Sequence, residues 1–251
     1  MKIWVMFIFL SAYQIAGCQS PPQRTPLSEK AAGKDSSGRD SGYIYHAGSA
    51  DGIGKHYMGR EIARVIGPGG AGWLDRTERE EEEHSDKAVN AMQLRPNEVV
   101  ADIGAGTGYY SLKVASRVPR GKVFAVELQQ ELRDHLHRKI KENSIQNIAV
   151  VPGDTLGVNL PDSSVDFAFM VDVYHELAWP REMLQSIRNC LKPDGKLILM
   201  EYRAEDPGVP IRPLHKMSVE QITAEMKANG FILDRRVDSL PIQHFLVFRK
   251  L

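Results

Sequence analysis

The chain alternates short apolar runs with longer mixed segments, a pattern typical of strands that alternate with helices. Because the runs are almost wholly apolar, they predict strands covered on both faces, as in a parallel sheet. Two more runs near the carboxyl terminus predict an antiparallel hairpin. The predicted strands lie at 99–103, 122–127, 148–151, 165–171 and 196–201, and the hairpin at 231–237 and 245–248.

A glycine-rich turn follows the first predicted strand, with glycines at 104, 106 and 108. Glycine adopts positive φ easily and lets a ligand approach the backbone closely. The helix predicted over 109–118 would direct its free N–H groups at a ligand above the turn. The turn therefore predicts a nucleotide-cofactor loop, with packing between strand and helix as the alternative.

Carboxylates follow the next three predicted strands, at Glu127, Asp154 and Asp172. Ligands of open α/β sheets bind at the carboxyl edge, and an acid about 20 residues after a glycine turn reaches ribose hydroxyls. Glu127 has that spacing. Helix capping or turn formation is the alternative for any one of these acids.

The spacing of the glycines bears on the choice of cofactor. A dinucleotide site uses G-x-G-x-x-G, whereas this chain has Gly104-x-Gly106-x-Gly108 followed by Tyr109. In a dinucleotide site the helix packs closely on the strand and needs a small residue there, so Tyr109 argues against a pyrophosphate site. An NAD-dependent oxidoreductase therefore stays as the weaker alternative.

The stretch 102–108, Glu127, the pair Gly153-Asp154 and the segment 191–197 together resemble successive motifs of class I S-adenosylmethionine-dependent methyltransferases. The resemblance spans about residues 97–249. One departure is Asp194, which stands where the family's turn has glycine, and aspartate also tolerates turns. The resemblance implies an α/β fold, namely a Rossmann-like, doubly wound, seven-stranded and mostly parallel sheet that ends in an antiparallel hairpin.

The same resemblance assigns contacts with S-adenosylmethionine. The glycines would cradle its methionine part above Asp102, Glu127 would hold the ribose hydroxyls, Leu128 would pack on adenine, and Asp154 would accept from the adenine amino group. The full set of expected cofactor residues is Asp102, Gly104, Ala105, Gly106, Thr107, Gly108, Glu127, Leu128, Asp154, Thr155 and Asp172.

Candidates for the chemistry follow the fourth strand, at Tyr174 and His175. Methyl transfer depends mainly on positioning, and a base is needed only when the acceptor arrives protonated. His175 suits that role by its ordinary pKa, or else it orients the loop through a backbone hydrogen bond. No metal is expected, because His135 and His137 stand two apart on a predicted helix and cannot share a face.

A long loop after the fifth strand is dense in charge. Its candidates either bind an anionic acceptor or form surface salt bridges. They are Glu201, Arg203, Arg212, His215 and Lys216.

The segment 50–96 is predicted to be a helical or lid-forming region before the methyltransferase domain at 97–251. The glycine-rich stretch that ends at Trp73 and Leu74 either covers the substrate or is a plain connecting loop. Thr77 and Glu80 have capping-box spacing, which predicts a solvated helix rather than an acidic metal site.

The first 18 residues have a short positive start and an apolar core, which predicts a secretory signal. Ile15-Ala16-Gly17-Cys18 resembles a bacterial lipoprotein box, so Cys18 is expected to be lipidated and to anchor the chain to the membrane of the cell envelope. Without use of the signal, the protein would be cytoplasmic. Residues 19–49 are predicted to be a disordered linker, and Cys190 a core residue.

The chain has 32 basic and 32 acidic residues, which gives no electrostatic case for a nucleic-acid partner. The prediction is therefore a methyltransferase that acts on a small-molecule acceptor; the sequence leaves the oligomeric state open. A noncatalytic lipoprotein that binds a nucleoside or the cofactor is the alternative from another class.

Overall fold

The computed structural model describes residues 42–251. The predicted signal peptide and Cys18 lie outside this range. The first of these residues form a small antiparallel sheet whose strands lie in the order β1-β2-β3. The turn from β2 to β3 places Met58 and Gly59 at φ of 47° and 93°, the left-handed values that a tight hairpin requires. The strands are β1 (Tyr43–Tyr45), β2 (Gly52–Tyr57) and β3 (Arg60–Ala63).

Strand β1 falls within the predicted linker 19–49, so this part of the predicted linker is ordered. The reason is packing, because Tyr43 is fully buried against Tyr57 and Trp179. The next two residues, Ile44 and Tyr45, are also apolar or aromatic but are exposed, so the sequence shows no alternation that marks the buried position.

Short helices connect the small sheet to the main one: a 3-10 turn (Pro68–Gly70), α1 (Ala71–Leu74), α2 (Arg79–Glu83) and α3 (Ser85–Ala91). The predicted capping box is wrong, because Glu78 is the N-cap of α2 and makes no side-chain cap hydrogen bond. The predicted solvated helix is also only partly right, since Arg79 and Glu83 are buried.

The main sheet has seven strands in the order β6-β5-β4-β7-β8-β10-β9. Strands β4 to β8 are parallel to one another, and β10 is antiparallel to both of its neighbours. This topology confirms the predicted fold class. The strands are β4 (Val99–Ile103), β5 (Lys122–Glu127), β6 (Ile148–Pro152), β7 (Val165–Val171), β8 (Leu191–Tyr202), β9 (Phe231–Val237) and β10 (Gln243–Lys250).

Four longer helices cover the faces of this sheet. The last of them begins where Ser218 Oγ accepts a hydrogen bond from the Gln221 backbone N–H, and Gly230 follows its end at φ 80°. The helices are α4 (Tyr109–Arg117), α5 (Gln130–Glu142), α6 (Pro180–Cys190) and α7 (Val219–Ala228). Two further 3-10 turns, Tyr174–Glu176 and Pro213–His215, lie beside the cavity described below.

The core lies on both faces of the sheet. On β7, Met170 packs into one apolar cluster with Leu184 and Ile222, whereas its neighbour Phe169 packs into the other. Successive strand residues point to opposite faces, so both faces must be apolar to be covered. Cys190 is buried in the first cluster, and burial raises the pKa of its thiol to about 12.

The order of the strands reverses between β4 and β7. In open α/β sheets such a switch point leaves a crevice at the carboxyl ends of the strands, which is where ligands bind. Within residues 42–251, no helix is both long enough and apolar enough to cross a bilayer.

Candidate active site

A cavity of about 510 Å³ opens at this switch point. We call its two ends the cofactor end and the acceptor end. The cofactor end is bounded by the glycine turn and Glu127, and the acceptor end by His175, Glu176, Arg212 and His215. The volume lies within the range of small-molecule sites.

The glycine turn is shaped by positive φ at all three of its glycines, Gly104, Gly106 and Gly108. Gly104 has φ 73°, and a Cβ on it would lie 2.7 Å from both Cγ atoms of Val173. Gly108 has φ 81°, and a Cβ there would overlap Leu136 of α5. Gly104, Ala105, Gly106 and Thr107 line the cavity as predicted, whereas Gly108 does not. Gly108 therefore serves the packing of α5 against the turn.

Glu127 is held rigidly at the end of β5. It is only 4% exposed. Its Oε2 accepts from the Gly106 N–H at 2.8 Å, and its Oε1 accepts from the Gln129 N–H at 2.8 Å. A carboxylate accepts about four hydrogen bonds, so capacity remains for a pair of hydroxyls in the cavity.

Leu128, Asp154 and Thr155 line the outer part of the cofactor end and are exposed to solvent. Asp154 Oδ1 accepts from the backbone N–H groups of Leu156 and Gly157 at 2.6 and 2.7 Å. These bonds fix the carboxylate and leave Oδ2 available. Leu128 offers an apolar surface that is 45% exposed.

A buried acid, Asp102, and a half-buried one, Asp172, line the cavity between its two ends. Burial, opposed by the hydrogen bond from Ser111 Oγ (2.6 Å) and reinforced by nearby Glu127, raises the pKa of Asp102 to about 7. Burial also raises the pKa of Asp172 well above its usual range.

Asp172 has φ 54°, an uncommon conformation for a residue other than glycine. Its Oδ2 accepts from Gln243 Nε2 at 2.6 Å. Its buried Oδ1 has no hydrogen-bond partner among residues 42–251. An unpaired buried oxygen is costly, so this atom is suited to receive a ligand's donor group.

Arg79 is a cavity residue that the sequence analysis missed. Its Nε donates to Glu83 Oε2 at 2.9 Å, and Glu83, which is fully buried, also accepts from the Tyr202 hydroxyl at 3.0 Å. The guanidinium lies 4.5 Å from the Tyr109 ring centre. The only signal in the sequence was the spacing of Arg79 and Glu83 by one helical turn, within a run of acids.

His175 lies at the acceptor end and is 2% exposed. Its Nδ1 lies 2.6 Å from Oε2 of the fully buried Glu201. Because a carboxylate only accepts, Nδ1 carries the hydrogen, and Nε2 of the neutral ring is an acceptor. Nε2 lies 3.2 Å from Nδ1 of His215. The predicted role as a base is compatible with this geometry.

Tyr174 is not brought to the cavity, and its predicted catalytic role does not fit its position. It is fully buried, and its hydroxyl donates to Glu225 Oε2 at 2.7 Å. Residues that follow one another in a 3-10 turn point in different directions. Tyr174 therefore points towards α7 while His175 points into the cavity.

The charged loop after β8 divides into two groups. Arg212 and His215 line the cavity. Arg203 donates instead to the carbonyls of Leu240 and Pro241, and Lys216 Nζ contacts carbonyls of its own loop at 3.4 Å. Glu176, in the polar stretch that follows the fourth predicted strand, also lines the cavity and accepts from the Ile66 N–H at 3.3 Å.

The small sheet holds the acceptor end in place. Arg60 donates to both carboxylate oxygens of Glu225, at 2.6 and 3.1 Å, and to the carbonyl of His175 at 3.2 Å. Lys55 donates to the Ala178 carbonyl at 2.7 Å, and burial lowers the pKa of its ammonium to about 8. Both cations thus fix the loop that carries His175.

The segment between the two sheets lies over the cavity. Val65, Ile66, Trp73 and Leu74 line it. Asp75 accepts from Thr107 Oγ1 at 2.7 Å and pairs with Lys139 Nζ at 2.6 Å, which ties the end of this segment to the glycine turn and to α5.

A family model described as a methyltransferase domain matches residues 100–195. This region runs from β4 into β8 and includes the glycine turn, Glu127 and His175. The fold and this match show that the region is similar to methyltransferase domains. They also support the predicted cofactor, S-adenosylmethionine.

Individual relatives are distant. An uncharacterized 37.1 kDa protein in transposon TN4556 of Streptomyces fradiae is 30% identical over 185 residues, which is 70% of this chain and 53% of that protein. A demethylmenaquinone methyltransferase of Lactobacillus johnsonii is 25% identical over 136 residues, 53% of this chain and 54% of that protein. The chain spans about half the length of the curated relatives it matches.

Among solved structures, a SAM-dependent methyltransferase from Aquifex aeolicus superposes with a TM-score of 0.68 at 24% identity. The match covers 73% of this chain and 99% of that chain. At this identity the likeness establishes the fold.

Proposed function

We propose that this chain transfers a methyl group from S-adenosylmethionine to a small-molecule acceptor. One observation carries the proposal. A single cavity joins a glycine turn with a buried, backbone-fixed Glu127 at one end to the imidazole of His175, whose Nδ1 is held by Glu201, at the other.

The residues at the cofactor end fit S-adenosylmethionine, which supplies an electrophilic methyl group on its sulfonium. Glu127 has acceptor capacity for the ribose hydroxyls, and Leu128 offers an apolar face to adenine. Asp172 Oδ1 is buried and unpaired among the described residues, which suits it to accept from the ammonium group of the methionine part.

The acceptor end favours a molecule with an apolar body and one polar or anionic group. Val65, Leu177 and Ile211 give apolar walls, while the polar groups of His175 and Arg212 lie at one side. Holding such an acceptor next to the cofactor supplies most of the acceleration expected for a displacement reaction. One relative is a demethylmenaquinone methyltransferase, so demethylmenaquinone is a reasonable first acceptor to test.

Calorimetric titration of the full chain with S-adenosylmethionine, S-adenosylhomocysteine and NAD tests the cofactor. We expect the first two to bind with micromolar affinity and NAD not to bind. Binding of NAD instead would indicate an oxidoreductase and contradict the proposal. Tight cofactor binding with no methyl transfer across a broad acceptor screen would favour a noncatalytic binding protein.

We further propose that Cys18 is lipidated and anchors the exported protein. Residues 1–41, which include it, lie outside the described range, so the support comes from the sequence alone. Replacement Cys18→Ser should release the protein from the membrane fraction. Unchanged membrane association and processing of that variant would contradict the proposal.

A further inference from the structure

Three side chains meet at the acceptor end with their donor atoms turned towards one another. His175 Nε2 lies 3.2 Å from His215 Nδ1 and 3.8 Å from Glu176 Oε1, and His215 Nδ1 lies 3.3 Å from the same oxygen. All three residues line the cavity. We call this group the His-Glu-His triangle.

The size of the triangle matches metal coordination. Bonds of about 2.0–2.1 Å to nitrogen and oxygen at tetrahedral angles place the ligand atoms about 3.3 Å apart. Two histidines and one carboxylate form a donor set that catalytic zinc sites use, with a further position left for water or substrate. The triangle has the same donors and nearly the same edge lengths.

Each ligand is held by its own support. The Nδ1–H of His175 donates to Glu201 at 2.6 Å, which leaves Nε2 as the ligand atom. Such a carboxylate behind a ligating histidine fixes the ring and makes it a stronger donor. Ile66 N–H holds Glu176, and the backbone N–H of His215 donates to the Arg212 carbonyl at 3.0 Å. The donor atoms are therefore fixed before any ion binds.

The charges also favour a cation. Glu176 and the buried Glu201 face two imidazoles. The nearest guanidinium groups are already paired, Arg60 with Glu225 and Arg212 with Asp51. A proton on His215 Nδ1 would face His175 Nε2 and Glu176 Oε1. A metal ion can take its place, because the proton can move to Nε2 of the His215 ring.

We propose that His175, Glu176 and His215 bind one divalent transition-metal ion of the Zn²⁺ type, with its remaining coordination position open to the cavity. The part that concerns catalysis rests on the proposed function. A hydroxyl of the acceptor binds the ion and loses its proton to water. The oxygen lone pair then forms the new bond to the methyl carbon, and the electron pair of the broken S–CH₃ bond stays on sulfur. In this role His175 is a metal ligand rather than a base.

The first experiment needs no variant. The full chain, purified without a histidine tag and stripped with a chelator, is titrated with Co²⁺ while visible absorption is recorded. We expect intense bands of low-coordinate Co²⁺ that saturate at one ion per chain and disappear when Zn²⁺ is added. A spectrum identical to that of aqueous Co²⁺ would overturn the proposal.

Variants locate the site. His215→Ala and the conservative Glu176→Gln should each weaken Zn²⁺ binding at least about 100-fold by calorimetry, and Glu201→Gln should weaken it about 10- to 100-fold through the ring of His175. His137→Ala, on the exposed face of α5, is the matched control and should bind like the parent. Unchanged Co²⁺ bands in His215→Ala and Glu176→Gln would place the ion elsewhere and refute the triangle.

The metal site and the proposed function fail separately. Glu127→Ala should lose S-adenosylmethionine binding and keep the Co²⁺ bands, whereas His215→Ala should do the reverse. A chain that binds Co²⁺ at the triangle but no S-adenosylmethionine would retain the metal site and refute the methyltransferase proposal. Cofactor binding without Co²⁺ bands would refute the metal site and leave the methyltransferase proposal standing.

Discussion

The two ends of the cavity are built in different ways. The cofactor end comes from the turns that directly follow β4, β5 and β6, where each functional residue stands beside a buried strand. The acceptor end is assembled from the 3-10 turn at 174–176, the loop before α7, the end of β8 and the small sheet. Glu176 and His215, which lie 3.3 Å apart at their donor atoms, belong to separate segments.

This difference decides what holds each end together. The cofactor end depends on backbone groups, such as the Gly106 N–H that holds Glu127. The acceptor end depends on buried side chains that pair across elements, namely the ion pair of Arg60 with Glu225 and the hydrogen bond of His175 with Glu201. We therefore expect the acceptor end to be the more sensitive to single substitutions, and the following predictions test that comparison.

The largest effect is expected for Arg60→Met. It leaves the fully buried carboxylate of Glu225 without its cation, and breaking a buried ion pair in this way costs about 3–5 kcal/mol of unfolding free energy. Urea unfolding measures the loss. Arg64→Met, which removes a bond to the Gly52 carbonyl on the same small sheet, should cost less than about 1 kcal/mol. The double variant Arg60→Met/Glu225→Gln should recover part of the stability; no recovery would mean that charge pairing is not the cause.

The next effect concerns the cofactor end. Glu127→Ala should weaken S-adenosylmethionine binding about 100-fold, because it removes charge-assisted hydrogen bonds to the ribose and frees the Gly106 N–H. Calorimetric titration measures it. Glu131→Ala, an exposed acid at the start of α5, is the matched control and should change affinity less than about twofold. Equal affinity of Glu127→Ala and the parent would remove the ribose assignment.

A smaller effect depends on pH. The pKa of Asp102 is about 7 in the folded protein and near 3.8 when it is unfolded. The folded state therefore binds this proton more tightly, and the parent loses stability as pH rises from about 4 to about 7. Asp102→Asn keeps an oxygen for Ser111 and has no charge to bury. Its stability relative to the parent should rise by roughly 2–3 kcal/mol between about pH 5 and pH 8 in urea unfolding.

A pH-independent difference between Asp102→Asn and the parent would contradict the buried-acid interpretation. Asp134→Asn, an exposed acid on α5, serves as the control and should track the parent at both pH values.

The smallest effect is expected at the segment over the cavity. Asp75→Asn weakens the tie to Lys139 but keeps an acceptor for Thr107. Partly exposed pairs contribute about 0.2–1 kcal/mol, so S-adenosylmethionine affinity should fall less than about fivefold. Hydrogen exchange of residues 65–75 should increase in the variant. Unchanged exchange would mean that Asp75 does not hold the segment closed.

The sequence predicted the fold because strand length, apolar character and turn residues are local properties. The runs at 99–103 and 165–171 coincide with β4 and β7, and the predicted hairpin corresponds to β9 and β10. It also placed Glu127 and Asp154 at the right edge, since a residue that follows a parallel strand must lie there.

The residues that the structure places differently from the expectation share one physical cause. Tyr174 and His175 are neighbours in the chain, yet only the packing of α7 decides that the first is structural. Gly108 has the spacing of a ligand contact, but in the structure it leaves room for Leu136 of α5 to pack against the turn. In the sequence, Arg79 looks like one more charged residue in the solvated run at 78–83, but its side chain is buried beside Glu83. Each outcome depends on elements distant in sequence.

Local sequence features are enough to predict the doubly wound sheet and the cofactor end, because strand burial and glycine turns depend on neighbouring residues. The acceptor end forms only on folding, because the His-Glu-His triangle and the Arg60–Glu225 pair join segments that share no local pattern. Long-range side-chain pairing depends on how the elements pack, and periodicity along the chain carries no record of it.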